Sequence, residues 1–297
     1  MTARRTAPFA FIDAPLDRAE HLRDDAAALA RLWSDGRVLV VDAEGRAWAD
    51  DQGQLLAPPC TSLGPMPADA LFLGLRGDQG WFAMPAASAV ESGEPPGVDL
   101  RTAAGQWPGF EATAFAQARA VLHWRARHRH CGACGTTLAF ARAGWLGRCP
   151  GCALEHYPRT DPAVIVAVSD GARLLLGRSP AWPPRRYSVL AGFVEPGESL
   201  EQTVVREVFE ESAVRVRSCR YLGSQPWPFP SSLMLGFAAD AEPDVPRCND
   251  ELEDARWFDR DEVGAALRGE SGDDGLLLSP SISISRWLIE GWYAGTG

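Results

Sequence analysis

Residues 192–214, "GFVEPGESLEQTVVREVFEESAV", carry the most informative pattern in this chain. A loop containing Gly and Pro leads into a predicted helix that begins after Ser199 and ends near residue 212. Ser199, with Gln202 three residues later, forms a capping-box pattern typical of a first helical turn. The apolar positions of the helix are predicted to face a core; they are Leu200, Val204, Val205, Val208 and Phe209.

The same helix carries an acidic cluster. Glu207, Glu210 and Glu211 lie at positions i, i+3 and i+4, which places three carboxylates on one side of adjacent turns. Arg206 directly precedes Glu207 and is expected to face another way. Two interpretations stay open for the helix alone: a solvated acidic face, or a site for Mg²⁺ or Mn²⁺, which prefer hard oxygen ligands.

The spacing around this helix resembles the Nudix box, G-x5-E-x7-R-E-U-x-E-E-x-G-U, where U is aliphatic. Gly192, Glu198 and Arg206 stand at the required intervals, and the acids follow in order. The one departure is Ala213, which stands where the box has Gly. The chain is thus similar to the Nudix hydrolases, which cleave a nucleoside diphosphate linked to another moiety. The resemblance implies an α+β fold, a Nudix α/β/α sandwich with a mixed sheet.

The resemblance also implies the roles of the acids. Glu207 and Glu211 are expected to hold two or three Mg²⁺ or Mn²⁺ ions, and Glu210 is expected to be a ligand or a base acting through water. The main-chain carbonyl of Ala191 is a further candidate ligand. Glu251 is a candidate ligand from a distant loop and could equally be a surface acid.

Two other box positions carry structural expectations. Glu198 and Arg206 are expected to pair with each other and brace the loop, with a metal ligand as the alternative role of Glu198. The Gly of the box sits where the helix ends, in a backbone conformation with positive φ that Gly adopts freely. Ala213 in that conformation is expected to cost on the order of 1 kcal/mol, which predicts a loss of stability more than of activity.

Four cysteines form a second pattern. Cys131 and Cys134, then fourteen residues, then Cys149 and Cys152 give two C-x2-C pairs. Two such pairs joined by a short hairpin favour one structural Zn²⁺ in a closed four-thiolate shell, which leaves no open position for catalysis. Four unliganded thiols are the alternative, and they do not account for both pairs.

The stretch "SQPWPFPSS" at 224–232 resembles the SQPWPFPxS motif of the NADH pyrophosphatase branch of the Nudix superfamily. Its three prolines predict a rigid extended segment. The resemblance implies that Gln225 and Ser232 contact the substrate and that Trp227 and Phe229 shape its pocket. Stacking on a flat base, weighed against ordinary packing, is predicted for two further residues, Tyr157 and Phe193.

The implied activity is hydrolysis of the pyrophosphate of NADH or NAD⁺ to a nicotinamide mononucleotide and AMP, with removal of NAD caps from the 5′ end of RNA as a related activity. A Nudix hydrolase of ADP-ribose or another dinucleotide is the alternative enzyme. A non-catalytic protein that binds nucleotides or RNA is the alternative from another class.

Bulk properties and pattern predict the organisation of the chain. Its 297 residues divide into an N-terminal α/β domain (1–125), a zinc ribbon (126–158) and a Nudix domain (159–297). Within the first domain, helices are predicted at 16–33 and 111–127, with hairpins around 42–45 and 77–80. The net charge of −10 argues against bulk binding to anionic surfaces. We expect no membrane span, no secretory signal, a cytoplasmic location and, by resemblance, a homodimer.

Overall fold

The computed structural model describes residues 8–13, 15–88 and 95–296. The chain divides into two compact units: an N-terminal unit, Met1–Thr160 with Trp227–Ser231, and a C-terminal unit, Asp161–Pro226 with Ser232–Gly297. The three predicted domain ranges stay a prediction. The first seven residues, on which the expected lack of a secretory signal partly rests, lie outside the described ranges.

The N-terminal unit is built on a five-stranded sheet. Its strands are β1 (Arg37–Val41), β2 (Ala47–Trp48), β3 (Leu71–Arg76), β4 (Gln79–Pro85) and β5 (Gly97–Val98). Their order in the sheet is β3-β4-β1-β2-β5, with β1 parallel to β4. Both predicted hairpins are present, because β1 pairs antiparallel with β2 and β3 pairs antiparallel with β4.

Three helices accompany this sheet: α1 (Ala26–Ser34), α2 (Leu100–Gln106) and α3 (Gly109–Arg127). The long helix α3 confirms the prediction for 111–127. The prediction of one helix over 16–33 is wrong in its first half, which holds only a short 3-10 turn. The α-helix begins after Asp25, whose carboxylate accepts a hydrogen bond from the backbone N–H of Ala28 at 2.9 Å and so caps the first turn.

The zinc ribbon region follows α3 as a three-stranded antiparallel sheet. Its strands are β6 (Ala139–Ala141), β7 (Leu146–Arg148) and β8 (Glu155–His156), in that order. The hairpin of β6 and β7 is the one predicted between the two cysteine pairs.

The C-terminal unit holds a mixed sheet of six strands. These are β9 (Asp161–Ser169), β10 (Leu174–Arg178), β12 (Leu190–Phe193), β13 (Val216–Trp227), β14 (Ser232–Ala241) and β15 (Asp254–Phe258), while β11 (Arg186–Tyr187) pairs separately with β16 (Leu277–Leu278). The order is β13-β14-β9-β10-β15, with β12 paired to β9. β14 runs parallel to β9 over nine residue pairs, whereas β10 and β12 run antiparallel to it, so the sheet is mixed as predicted.

Helices cover both faces of this sheet. They are α4 (Leu200–Ser212), α5 (Arg260–Arg268) and α6 (Ile284–Ala294). Phe237 of β14 is buried in one cluster with Val204 and Val208 of α4. Its neighbour Gly236 lies on the other face, where an added Cβ would be 2.9 Å from the Ile284 side chain of α6. Alternation along β14 therefore directs α4 and α6 to opposite sides, which confirms the predicted α/β/α sandwich.

The apolar face of α4 is narrower than predicted. Val204 and Val208 are buried, but Val205 and Phe209 are exposed, so their placement in the core is wrong. Each is one residue, about 100°, around the helix from a buried position. Across the described residues, no helix has the length and apolar character needed to span a membrane.

Candidate active site and zinc site

The loop before α4 is held by one ion pair. Arg206 donates to Glu198 through Nε at 2.6 Å and through a terminal nitrogen at 2.8 Å. The hydroxyl of Thr203 donates to the same carboxylate at 2.9 Å. Hydrogen bonding by Arg206 lowers the pKa of Glu198 to about 2. The expected brace is therefore present, and it joins the loop to the second turn of the helix.

Arg206 also reaches the acidic cluster, which the sequence interpretation did not foresee. One terminal nitrogen lies 2.9 Å from a carboxylate oxygen of Glu207 and 3.0 Å from one of Glu210. The expectation that Arg206 faces away is wrong, because its long side chain bends back along the helix and Glu210 lies at i+4 from it. The guanidinium thus contacts three acids of the box and the backbone oxygen of Phe193.

Gly192 is explained by the position of Glu207. A Cβ at residue 192 would lie 1.8 Å from the carboxyl carbon of Glu207, closer than any pair of unbonded atoms can approach. The end of β12 and the side chain of Glu207 are therefore in direct contact. A side chain at residue 192 would displace the Glu207 carboxylate from its place beside β12, so steric fit and not a positive φ accounts for the first glycine of the motif.

Glu211 is the most unusual group of the site. It is only 6% exposed, and among the described residues its Oε2 has no hydrogen-bond partner. Burial, followed by the charges of Glu207 and Glu251, raises the pKa of Glu211 to about 8, although the backbone N–H of Ala191 donates to the carboxylate. Burying a carboxylate without a partner is costly. Oε2 of Glu211 is therefore available to bind a cation.

The other acids surround Glu211 at different depths. Burial also raises the pKa of Glu207, and the charges of Glu210 and Glu251 add to the effect. Glu251 thus acts on two box acids although it lies in a distant loop, and its own side chain is exposed. Glu210 is half exposed beside Arg206. This arrangement brings the four predicted acids into one electrostatic group.

The donor set suits Mg²⁺ or Mn²⁺ better than a soft metal. All four acids and the backbone of Ala191 offer hard oxygen ligands, and Glu211 presents a buried oxygen that nothing else satisfies. Among the described residues, however, only the four cysteines have ligand atoms gathered tightly enough to form a ready metal cluster. The roles of the individual acids therefore stay predictions.

The zinc ribbon cysteines converge on one point. Their four sulfur atoms lie within 4.8 Å of one another, with close pairs at 3.4–3.6 Å. A tetrahedral site with Zn–S bonds of about 2.3 Å needs sulfurs about 3.8 Å apart. The geometry therefore fits one zinc ion with no open position.

The two cysteine pairs have the same backbone arrangement. The N–H four residues after the first cysteine of each pair donates to that cysteine's carbonyl at 2.9 Å, from Gly135 to Cys131 and from Ala153 to Cys149. Both donor residues have positive φ, +75° and +61°. The chain thus forms two similar tight turns that direct sulfurs inward.

The predicted stacking residues are both exposed. Phe193 ends β12 in the C-terminal unit and is 58% exposed, next to the box. Tyr157 follows β8 in the N-terminal unit, is 60% exposed, and donates to Glu155 at 2.5 Å. An exposed ring of this size has a free face, as base stacking requires, and its use for that purpose stays a prediction.

Gln225 has a different environment from the one expected. Its side chain is fully buried, and its amide nitrogen donates to the Ile282 carbonyl at 2.8 Å. Its amide oxygen accepts from the backbone N–H of Ile284, also at 2.8 Å. Both ends of the amide therefore tie β13 to the start of α6. Gln225 therefore has a structural role, and its contact with substrate stays a prediction.

Within the proline-rich segment, Trp227–Ser231 belongs to the N-terminal unit. Trp227 and Phe229 lie with ring centroids 4.9 Å apart, and Phe11 packs against both rings. The guanidinium of Arg101 lies 4.2 Å from the Phe229 ring. Ser232 begins β14 in the C-terminal unit, half-buried. The aromatic pair is thus fixed by packing and cation–π contacts.

Sequence interpretation missed two contributors to the site. The first is Thr203, whose hydroxyl donates to Glu198; its position between the loop and Arg206 was the one sequence signal for this contact. The backbone N–H of Ala191 as a donor to Glu211 had no sequence signal, because any residue supplies that group. Both contacts depend on how β12 meets α4.

Three family models match the chain in succession. They are described as "NADH pyrophosphatase-like rudimentary NUDIX domain" for residues 27–124, "NADH pyrophosphatase zinc ribbon domain" for 126–157 and "NUDIX domain" for 159–278. The first match concerns a region in which the sequence interpretation found no chemical motif. That region has no counterpart of the acid-rich box of 192–214.

Curated relatives match nearly the whole chain. A protein of Mycobacterium bovis named "NAD-capped RNA hydrolase NudC" is 41% identical over 94% of this chain and 92% of its own length. A protein of the same name from Stutzerimonas stutzeri is 48% identical over 56% of each chain. A crystal structure of a Nudix hydrolase from Nitrosomonas europaea has a TM-score of 0.44 and 24% identity, over 56% of this chain and 93% of that one. With the acid-rich box, the four-cysteine ribbon and the match to the Mycobacterium bovis relative over 94% of its length, the chain belongs to the Nudix hydrolases, in their NADH pyrophosphatase branch.

Proposed function

We propose that this protein hydrolyses the pyrophosphate of NADH or NAD⁺ and removes NAD caps from the 5′ ends of RNA. Water adds to one phosphorus and the anhydride P–O bond breaks, giving AMP and a nicotinamide mononucleotide from the free dinucleotide. The relatives named "NAD-capped RNA hydrolase NudC" support the substrate class. The descriptions of the ribbon and N-terminal matches as NADH pyrophosphatase domains point the same way.

The observation that carries the proposal is the carboxylate of Glu211. It is buried, lacks a partner at Oε2 among the described residues, and lies within the electrostatic reach of Glu207 and Glu251. This arrangement is costly for stability alone, so a ligand that enters the site must account for it. A hydrolase gains a site that is completed when cations and the diphosphate enter together.

The bound ions would be two or three Mg²⁺ or Mn²⁺. When bound, they reduce the negative charge of the diphosphate oxygens and lower the pKa of a water molecule. Glu207, Glu211 and Glu251 would hold them, together with the main-chain oxygen of Ala191. Glu210 is the most exposed acid of α4 in this group and would hold the proton of the attacking water on a carboxylate oxygen.

The remaining box residues keep this constellation in place. The pair of Glu198 and Arg206 fixes the loop against α4, so the acids on the helix keep a constant distance from the end of β12. Arg206 also neutralises part of the charge of Glu207 and Glu210. This lowers the repulsion that the acids would otherwise exert in the absence of cations.

For recognition of the substrate, Phe193 offers an exposed ring beside the box, and we assign it to stacking against a flat base. Tyr157, Trp227, Phe229, Gln225 and Ser232 complete the predicted substrate set. A cytoplasmic location and a homodimer remain part of the proposal, and light scattering measures the latter directly.

The test is product analysis. Purified protein incubated with NADH and either Mg²⁺ or Mn²⁺ should yield AMP and reduced nicotinamide mononucleotide, and NAD-capped RNA should yield 5′-monophosphate RNA. Absence of AMP with both metals contradicts the proposal. A panel with ADP-ribose and other dinucleotides, compared by kcat/KM, separates the proposed substrate from the alternative ones.

Glu211→Gln identifies the site. It should lower kcat/KM by more than the roughly 100-fold that loss of a residue supporting metal ligands typically costs. Glu201→Gln is the matched control, since Glu201 lies exposed on the same helix and its change removes the same charge. Circular dichroism verifies that both variants fold. Normal activity of Glu211→Gln would mean that the metal site lies elsewhere.

A further inference from the structure

The N-terminal unit contains a large cleft of about 1070 Å³. Its walls come from the last turns of α3, the turn between β1 and β2, the segment after β4, and the zinc ribbon near β6. Four arginines line it: Arg119, Arg125, Arg127 and Arg129. This concentration of one charge stands out in a chain whose net charge is −10.

The two inner arginines are held by carbonyl oxygens and aromatic rings. Arg119 donates to the Pro228 carbonyl and lies 5.3 Å from the centroid of the Phe229 ring. Arg125 donates to the carbonyl of Asp69 at 2.8 Å. Burial lowers the pKa of both guanidinium groups. Among the described residues, no carboxylate in direct contact cancels either positive charge, yet both side chains are fixed in place.

The two outer arginines are exposed at the end of α3. Arg129 donates only to the carbonyl of Ala126, at 3.1 Å. Within the described ranges, neither Arg127 nor Arg129 forms an ion pair. Surface arginines without acidic partners can bind an anion without first breaking an ion pair.

Two acids also line the cleft, Asp42 and Glu44, and each forms an ion pair with Arg46. A guanidinium nitrogen of Arg46 lies 2.8 Å from a carboxylate oxygen of Asp42, and another lies 3.4 Å from one of Glu44. The imidazole of His123, which also lines the cleft, has its pKa lowered by burial and then by the positive charges of Arg119 and Arg127. The field inside the cleft is therefore positive where the arginines converge.

We propose that this cleft binds the phosphate groups of an RNA chain. Arginine guanidinium groups pair with phosphate oxygens in charge-assisted hydrogen bonds, and a row of them follows a phosphodiester backbone. The inference rests on the proposed function, because an enzyme that removes NAD caps must hold an RNA as well as a dinucleotide. It adds a second site, outside the Nudix box, that free NADH does not need.

The open form of the cleft favours a chain over a single nucleotide. Its volume lies at the upper end of the range for small-molecule sites, about 300–1,000 Å³, and its arginines continue to the exposed side chains of Arg127 and Arg129, where a longer ligand can extend into solvent. Binding through backbone phosphates needs no particular base sequence. The cleft therefore suits transcripts that differ in sequence.

The experiment measures RNA binding separately from hydrolysis. A fluorescent 12-nucleotide RNA without an NAD cap is titrated with the full-length protein, without added divalent cations, at several salt concentrations. The double variant Arg127→Gln, Arg129→Gln is compared with Arg217→Gln, Arg220→Gln, which removes two exposed arginines from β13. Both variants change the net charge equally.

The slope of log K against log salt is negative, and each phosphate contact to a single strand contributes about −0.7 to it. Losing two contacts should therefore make the slope less negative by about 1.4. Taking equal binding at 1 M salt as the reference, this corresponds to roughly 25-fold weaker binding at 0.1 M salt. The β13 variant should bind as the wild type does, and both variants should keep the wild-type kcat/KM for NADH.

Three outcomes overturn the proposal. The first is a wild-type protein that does not bind the RNA, and the second is equal affinities and salt slopes for the two double variants. The third is full displacement of the RNA by ADP at a concentration near the Kd of the RNA, which would assign the cleft to a mononucleotide. Failure of the wild type to hydrolyse NADH or NAD-capped RNA would instead count against the proposed function. The binding result stands independently of it.

Discussion

Ala213 ends the acidic helix in a conformation that favours glycine. Its φ and ψ are 57° and 15°, in the left-handed region, and its N–H donates to the Phe209 carbonyl at 2.7 Å. The same unit ends α5 and α6 with Gly269 and Gly295 in that region, at φ of 75° and 70°. The helix therefore keeps the usual glycine geometry with an alanine in place, as the sequence comparison with the Nudix box predicted.

Replacing Ala213 by Gly should stabilise the protein. The left-handed region costs a non-glycine residue about 1–2 kcal/mol, whereas a glycine gives the unfolded chain additional freedom worth about 0.4–1 kcal/mol. The net gain is about 0.5–1 kcal/mol. For a unit of this size the midpoint of unfolding should rise by about 1–4 °C. Because no acid of the box changes, kcat should stay within about twofold of the wild type.

Differential scanning calorimetry of the metal-free protein measures the effect. Ala265→Gly is the matched control, since Ala265 lies inside α5, where the same exchange should destabilise by about 1 kcal/mol. Opposite signs for the two variants support the strain at Ala213. An unchanged or lower midpoint for Ala213→Gly refutes the reasoning, and a large rise in kcat would mean that the alanine distorts the catalytic loop.

Two further predictions concern the zinc site and a buried tyrosine. Metal analysis should find about one zinc per chain. Cys149→Ser removes a buried ligand and should abolish zinc binding and destabilise the ribbon. Full zinc occupancy in that variant would contradict the four-cysteine site. Tyr187 donates to Asp254, and burial together with this hydrogen bond raises the pKa of Tyr187 to about 12. Its contribution to stability is therefore fully present below pH 10 and is lost as the pH rises through about 12. Ultraviolet titration should show a late tyrosinate phase that Tyr187→Phe lacks; ionisation of all four tyrosines together near pH 10 would contradict this assignment.

Local patterns were sufficient for much of the fold. The capping box at Ser199 and the two N-terminal hairpins formed as predicted, because each depends on residues close together in sequence. Helix α1 was predicted too long because a continuous Ala- and Leu-rich stretch hid the cap at Asp25. Val205 and Phe209 were assigned to the core because apolar character alone does not define which side of a helix is covered.

The ligand types of both metal sites can be inferred from local sequence patterns alone. Fixed intervals between the glutamates and between the cysteines identify ligand sets, since ligands must be of a given type and lie at a given spacing to meet one ion. Only the tertiary structure decided how each group is used. In the folded protein Glu211 is buried, with no hydrogen-bond partner for its Oε2 among the described residues, and Arg206 contacts three acids. The amide of Gln225 is buried, and four arginines line one cleft. Burial and electrostatic fields come from segments distant in sequence, and no local pattern records which segments will meet.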